Sequence, residues 1–316
     1  MANQYWIGVD LGGTKILAGL LDDAFQVVGR SKLPTEAAKG PEAVFNQVRL
    51  AVEEVLQEAN IPPAQVGGLG MCIPGQVDPV AKRCRWAPNL NWKDLDLNAG
   101  LPASWSWPCY FENDVKLGTY GEFTHGAARG ARHVVGIFVG TGVGGGLILN
   151  GEIYNGFNFS AGEIGHIIVH WRKGTELEAV AGRAAMMRRA ADLLEEAPKS
   201  IRKEWKGHDP ATMKSSQLAA HFAKGDPIIL QLVDDAARAL GAAVGSVINL
   251  LSPEVIVLGG GVTGALGEPF LERIWEVAQK YALPRTTEGV RFVAAALGDD
   301  SGIYGAAAFA RNKGGK

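Results

Sequence analysis

Cysteine is scarce in this chain. Cys72, Cys84 and Cys109 are the only three among 316 residues, and no two of them form a C-x-x-C pair. An odd, scattered set excludes a disulfide framework and reads as a protein of a reducing compartment, the cytoplasm. Excess charge of one sign is also absent. Lys and Arg number 31 against 33 Asp and Glu, a net charge of −2, so nothing marks a nucleic-acid or membrane-surface partner. The longest apolar run, near residues 134–149, is interrupted by glycines, which argues against a membrane span. No signal peptide opens the chain, because Tyr5-Trp6-Ile7-Gly8-Val9 runs straight into a strand.

Glycine, by contrast, is abundant at 42 residues, a share roughly twice the usual one. Glycine suits tight turns and close approach of backbone to a ligand. The stretch VVGIFVGTGVGGGLILNGEIY, residues 134–154, contains G-x-G-x-x-G at Gly140, Gly142 and Gly145. A dinucleotide fingerprint needs a helix after those glycines. Here Leu147-Ile148-Leu149 runs into Asn150-Gly151, a type I′ hairpin signal, so the glycines join two strands. Such a turn can still cradle phosphate with backbone N–H groups around Gly140, Thr141 and Gly142.

A second turn of the same kind lies in VDLGGTKILAG. Asp10 ends a strand, Gly12-Gly13 make the turn, and Thr14 and Lys15 add a hydroxyl and an ammonium. That set suits the β- and γ-phosphates of a nucleotide, with Asp10 holding Mg2+ directly or through water. A plain hairpin would need none of these side chains. No Walker P-loop motif occurs. A third glycine run, Gly259-Gly260-Gly261, ends the strand EVIVLGGGV and could approach an adenine or ribose face.

The order of predicted elements supports an α/β protein with mixed sheets flanked by helices. Three strands precede an amphipathic helix at residues 43–58, with Val44, Val48, Ala51, Val52 and Val55 on one face. VGGLGMCIP and CYFEND read as strands, the latter opening a helix near Val115. After residue 130 strand, glycine turn and strand recur, which suggests a pseudo-repeat. Helices are expected at 176–195, 215–223, 226–251 and 268–281, with VRFVAAAL a strand and SGIYGAAAFARNK a last helix. Residues 199–214 are polar and read as a surface loop.

With these motifs in order, the chain resembles the ROK family of sugar kinases and repressors. The segments that carry the resemblance are GVDLGGTK, APNLNW, FENDV, VGTGVGGGLILNGEIYNG, AGEIGH, NLLSPEVIVLGGGV and GIYGAA, and they span nearly the whole sequence. APNL and AGEIGH look like the glucose-phosphorylating members. The resemblance implies a two-lobed actin-like (ribonuclease H-like) ATPase fold with a cleft between lobes. Residues 1–116 would form a smaller lobe, with a helix at about 301–316 packing back on it, and 117–300 a larger one. It also implies that Asp114 is the catalytic base. A carboxylate at a strand end can accept the proton of an attacking sugar hydroxyl, although Asn113-Asp114 alone would serve equally as a helix cap. The family pattern puts sugar contacts on Gly75, Asn89, Asn113, Asp114, Glu163, His166 and Glu178, with Asn91 an alternative to Asn89. ATP and Mg2+ are the implied cofactors, and a homodimer or higher homo-oligomer the implied assembly.

One departure stands out. Most members carry a cysteine-rich zinc loop after the G-H, whereas this chain reads GHIIVHWRKGTELEAVAG, with no cysteine. His166 and His170, four apart on an apparent strand, lie too far apart to share a metal easily. No structural zinc is expected. The leading reading is phosphorylation of glucose at O6. Fructose, mannose or an N-acetyl-hexosamine as substrate, or polyphosphate as donor, are alternatives within the class. From other classes come a sugar-sensing repressor and an inactive sugar-binding scaffold. The first lacks room for an N-terminal helix-turn-helix, and the second is disfavoured by Asp10, Lys15 and Asp114.

Overall fold

Apolar residues fill β1 (Tyr5–Leu11) and β2 (Lys15–Leu21) almost without alternation, which is the pattern of strands covered on both faces. The computed structural model, which describes residues 4–314, shows how they are covered. β3 (Val27–Pro34) extends the antiparallel meander, and α1 (Pro41–Glu58) then packs on β2 and β3. Its valines, Val44, Val48, Val52 and Val55, are fully buried. Each β-branched residue costs a helix about 0.5 kcal/mol in propensity. Burial returns about 1.5–3 kcal/mol apiece, so packing decides the helix.

β4 (Val66–Ile73) lies parallel to β1. A small antiparallel sheet follows, of β5 (Gln76–Asp78), β6 (Arg83–Ala87) and β7 (Trp92–Asp96). β8 (Cys109–Asn113) is parallel to β4 and completes the first sheet, order β3-β2-β1-β4-β8. α2 (Asp114–Thr124) starts directly from it.

The chain continues with β9 (Val134–Val139), β10 (Val143–Leu149) and β11 (Glu152–Ile153). β10 and β11 form the hairpin read from Asn150-Gly151, whose φ angles are 56° and 82° as a type I′ turn requires. Next come β12 (Ile168–His170), β13 (Thr175–Glu176), α3 (Glu178–Ala181) and α4 (Arg183–Glu196). α5 (Lys199–Glu204), α6 (Ser215–Ala223) and α7 (Pro227–Leu251) follow. β14 (Val255–Gly259), α8 (Gly261–Leu266), α9 (Glu268–Tyr281), β15 (Arg291–Ala294) and α10 (Ser301–Gly314) complete the chain. β14 runs parallel to both β9 and β15.

Two compact units result. One comprises Met1–Arg132, Gly146–Gly162 and Asp299–Lys316, the other His133–Gly145 and Glu163–Gly298. α2 therefore lies whole in the first unit, past the boundary expected at 116. α10 belongs there too, packed on β1, β4 and α2. It reaches the sheet only because Gly8 and Gly70 lack side chains: a Cβ on either would overlap the carbonyl oxygen of Ile303 or Ala306.

Two expectations need correction. The single helix at 176–195 is two, because Gly182 adopts extended backbone (φ −65°, ψ 137°) and caps α4. Residues 199–214 are not simply a loop. They contain α5, and Trp205 and Met213 are buried at 4% and 2% exposure, so two apolar anchors inside a polar segment hold it down.

Candidate active site

In the first unit the parallel strands β1, β4 and β8 bring their C-terminal ends together. The register pairs Asp10 with Cys72 and Ile73 with Asn113. Open α/β sheets present ligand-binding groups at this edge. The turn after Asp10 is pinned from both sides. The Gly12 N–H donates to the Lys15 carbonyl at 2.9 Å. The Thr35 hydroxyl donates to the Gly12 carbonyl at 2.6 Å, and the Thr35 N–H to the Thr14 carbonyl at 3.0 Å. Gly13 faces Asn89, whose Cβ would stand 3.3 Å from a Cβ placed there. The 3-10 turn Pro88–Leu90 carries Asn89, anchored by buried Leu90 and Trp92. Asn91 instead closes that turn in the left-handed region, φ 55°. The geometry thus puts Asn89, not Asn91, beside the Gly12-Gly13 turn.

Burial pushes the Asp10 carboxyl up to about 6. Lys15 works against that rise, and Asp299 adds to it. Lys15 Nζ lies 2.8 Å from Asp299 Oδ2. Asp299 precedes α10 and was not singled out from sequence. The signal for it is tertiary, since 284 residues separate the pair.

At the end of β8, Asn113 is the N-cap of α2. Its Oδ1 accepts from the Lys116 N–H at 3.0 Å. Its Nδ2 donates to the Gly75 carbonyl at 3.0 Å and to Asp114 Oδ1 at 2.9 Å. The capping role therefore belongs to Asn113, and it also orients Asp114. The same Asp114 oxygen accepts from the Val115 N–H at 2.9 Å. Gly75 is required where it stands, because a Cβ there would overlap the Trp86 carbonyl oxygen.

Behind this strand end lies a buried polar network that sequence reading missed. Glu112 and Lys116 are 0% and 2% exposed. Glu112 Oε1 accepts from the Asn113 N–H at 2.9 Å, and Oε2 from Asn155 Nδ2 at 2.7 Å. Lys116 Nζ donates to Asn155 Oδ1 and to the Phe159 carbonyl, each at 2.7 Å, and stands 3.9 Å from Glu112. Burial raises the Glu112 carboxyl above its ordinary range, with Lys116 opposing. Nearby, burial and the carboxylates of Asp10, Asp114 and Glu112 push the Cys72 thiol well up, which leaves it inert.

In the second unit the glycine loops after β9 and β14 sit on adjacent parallel strands, with Gly259 registered against Phe138. Gly260 holds φ 89° and would overlap the Val139 carbonyl if it bore a side chain. Gly261 begins α8. In the first loop the Gly140 N–H donates to the Gly142 carbonyl at 2.9 Å, and an Arg183 guanidinium nitrogen to the Thr141 hydroxyl at 3.1 Å. A Cβ on Gly142 would overlap Glu178 Oε2, which accepts from the Val143 N–H at 2.8 Å.

Glu163 precedes the 3-10 turn Ile164–His166, whose last residue is His166 and which lies against Val143 through Gly165. His166 is therefore on a turn, and only His170 is on β12, so the expectation that both share a strand is corrected. His166 Nδ1 is 3.0 Å from Glu176 Oε2. That hydrogen bond raises its pKa first, desolvation opposes, and the charges of Glu176, Glu163 and Glu178 add to the rise. Ile167 and Ile168 are 36% and 52% exposed, whereas Ile164 is buried. Glu163, His166 and Glu178 thus gather in the second unit. Asp10, Gly12, Gly13, Thr14, Lys15, Gly75, Asn89, Asn113 and Asp114 gather in the first. Among the described residues no group of three or more His, Cys, Asp or Glu side chains is placed to hold a metal ion.

The model of the ROK family matches residues 6–313. A glucokinase of Halalkalibacterium halodurans is 33% identical, over 96% of this chain and 94% of its own. The crystal structure of a ROK family glucokinase from Streptomyces griseus in complex with glucose and AMPPNP superposes with a TM-score of 0.82 at 27% identity, covering 98% of this chain and 99% of that one. The ROK hexokinase of Thermus thermophilus gives 0.82 at 29%, over 99% and 100%. A putative xylose repressor of Caldicellulosiruptor is 25% identical over 96% of this chain and 77% of its own. The fold is the actin-like ATPase fold of the ROK sugar kinases, and the chain belongs to the ROK family.

Proposed function

We propose that this chain is an ATP-dependent hexose kinase that phosphorylates glucose at its 6-hydroxyl. The observation that carries the reading is the meeting, at one sheet edge, of the Asp10–Lys15 turn with Asn113 and Asp114. The turn supplies backbone N–H groups, the Thr14 hydroxyl and the Lys15 ammonium to the phosphates. Asp114, oriented by Asn113, accepts the proton of the sugar hydroxyl as that oxygen bonds to the γ-phosphorus and the bond to ADP breaks. The glycine loops at Gly140–Gly142 and Gly259–Gly261 take the remainder of the nucleotide. Gly75, Asn89, Asn113, Glu163, His166 and Glu178 hold the sugar.

The donor set at Asp10 fits Mg2+. One semi-buried carboxylate, with Asp299 acting on it electrostatically, leaves the other coordination positions to water and phosphate oxygens, as this ion prefers. When bound, the ion neutralises phosphate charge. Glucose is favoured by the similarity to glucokinases at up to 33% identity. Another hexose, or polyphosphate as donor, fits the same groups. We place the protein in the cytoplasm as a homo-oligomer. No helix among the described residues is long and apolar enough to cross a membrane.

The repressor reading draws on the similarity to the putative xylose repressor. A coupled ADP-release assay over a panel of hexoses separates the two. Sugar-dependent turnover, highest with glucose, is expected. Sugar binding without turnover on any hexose would favour the repressor reading.

A further inference from the structure

The first unit contains a cavity of ≈ 280 Å3 away from the phosphate turn. That is just below the usual range of ligand pockets, about 300–1,000 Å3. It lies along β8, the last strand of its sheet, where one edge has no further strand beside it among the described residues. Tyr110, Tyr120 and Phe309 line it. They are locked edge to face: Phe309 lies 6.4 Å from the Tyr110 ring and 6.1 Å from the Tyr120 ring, at 83° and 84°. Tyr120 and Phe309 are 5% and 7% exposed, so these walls are rigid.

Polar groups converge on the same space. Asn312, also in the lining, donates to the Tyr120 hydroxyl at 3.1 Å. Lys313 comes from the last turn of α10, its Nζ 5.4 Å from the Phe309 ring centre. Lys82 comes from the turn between β5 and β6, where it holds φ 53°. Against these two ammonium groups the lining carries one carboxylate, Glu152.

We propose that this cavity binds a small organic anion with a flat ring, an aryl carboxylate or aryl phosphate, and that its occupancy changes the affinity of the sugar site. Lys82 and Lys313 meet the charge. The aromatic walls meet the ring. The link to the sugar site is Asn155, which lines the cavity and also bridges Lys116 and Glu112 at 2.7 Å each. Glu112 in turn accepts from the Asn113 N–H. A ligand that turns the Asn155 amide therefore acts two hydrogen bonds, through Glu112, from the residue that orients Asp114. The binding half of the proposal is independent of the kinase reading, and the coupling half rests on it.

The test is saturation-transfer NMR with phenyl phosphate and benzoate, and benzyl alcohol as the neutral control. The full chain is saturated with glucose and AMPPNP so that the phosphate loops are occupied. Saturable binding of the anions, stronger than that of benzyl alcohol, is expected. In Lys82→Met/Lys313→Met it should weaken by roughly 10- to 100-fold. The circular dichroism spectrum and basal turnover should not change. No binding, equal binding of the neutral ring, or binding unaffected by the double variant would overturn the site. A change in the KM for glucose with benzoate in the wild type, absent in the double variant, supports the coupling, and an unchanged KM overturns it. If no hexose is turned over at all, the NMR result still decides whether the site exists.

Discussion

His166 Nδ1, on the turn that carries the G-H motif, and Glu176 Oε2, on β13, stand 3.0 Å apart. The carboxylate holds the ring and favours its charged form. Glu176→Gln should therefore lower the His166 pKa toward its ordinary value near 6.5, as read from imidazole NMR. Because the folded pKa is the higher one, the pair's contribution to stability is fully present below the unfolded value and is lost as pH rises through the folded one. With the side chains 57% and 45% exposed, solvent screens that contribution. The pKa shift, rather than the melting temperature, is thus the sensitive readout. An unchanged pKa in the variant would remove Glu176 as the group that orients His166.

Gly142→Val tests the second contact of this region. A side chain there meets the Glu178 carboxylate. The variant should therefore raise KM for the sugar as well as for ATP, each by roughly tenfold or more. Gly140→Ala, with nothing within 4 Å of the added Cβ, should leave the KM for glucose near wild type. A Gly142 variant impaired for ATP alone would mean that Glu178 has no part in holding sugar.

How much of this was legible in the sequence follows the range of the interactions. The β1–β2 turn, the Asn150-Gly151 hairpin and the valine stripe of α1 are local or periodic, and the structure places them as read. The glycine runs at strand ends were visible for the same reason. The Glu178–Val143 hydrogen bond spans 35 residues, and Asn155 lies 39 and 43 residues from its partners. No spacing rule announces such pairs. The small β5–β7 sheet also escaped notice, because its strands of three to five residues carry Arg, Gln and Asp in place of an alternating apolar pattern.

Asp10 supplies a pH test. Its folded pKa, about 6, exceeds its unfolded value near 3.8, so the folded state binds the proton more tightly and stability falls as pH rises through that interval. In metal-free protein, Asp10→Asn should melt higher than wild type at pH 8, with the difference narrowing as pH drops below 6. It should also lose most of its kinase turnover. A variant that melts lower at pH 8 would show that the Asp10 charge stabilises the fold.

Lys116→Met removes one half of a buried pair. Leaving Glu112 without its ammonium should cost about 3–5 kcal/mol in urea unfolding near neutral pH. The loss should shrink as pH falls, because Glu112, already raised by burial, takes up a proton and sheds its charge. A loss independent of pH would mean that packing of the lysine stem, not its charge, is what matters.

Asp114→Asn bears most directly on the central claim, that the carboxylate oriented by Asn113 is the base of a sugar kinase. The amide keeps an oxygen for the Val115 N–H, and the cap of α2 is supplied by Asn113, so the variant should fold. Steady-state ADP release with saturating glucose and ATP, paired with calorimetric glucose binding, is the measurement. The account predicts glucose affinity close to wild type and a kcat lower by roughly 10²–10⁴-fold. Turnover near wild type in a folded Asp114→Asn protein would contradict it.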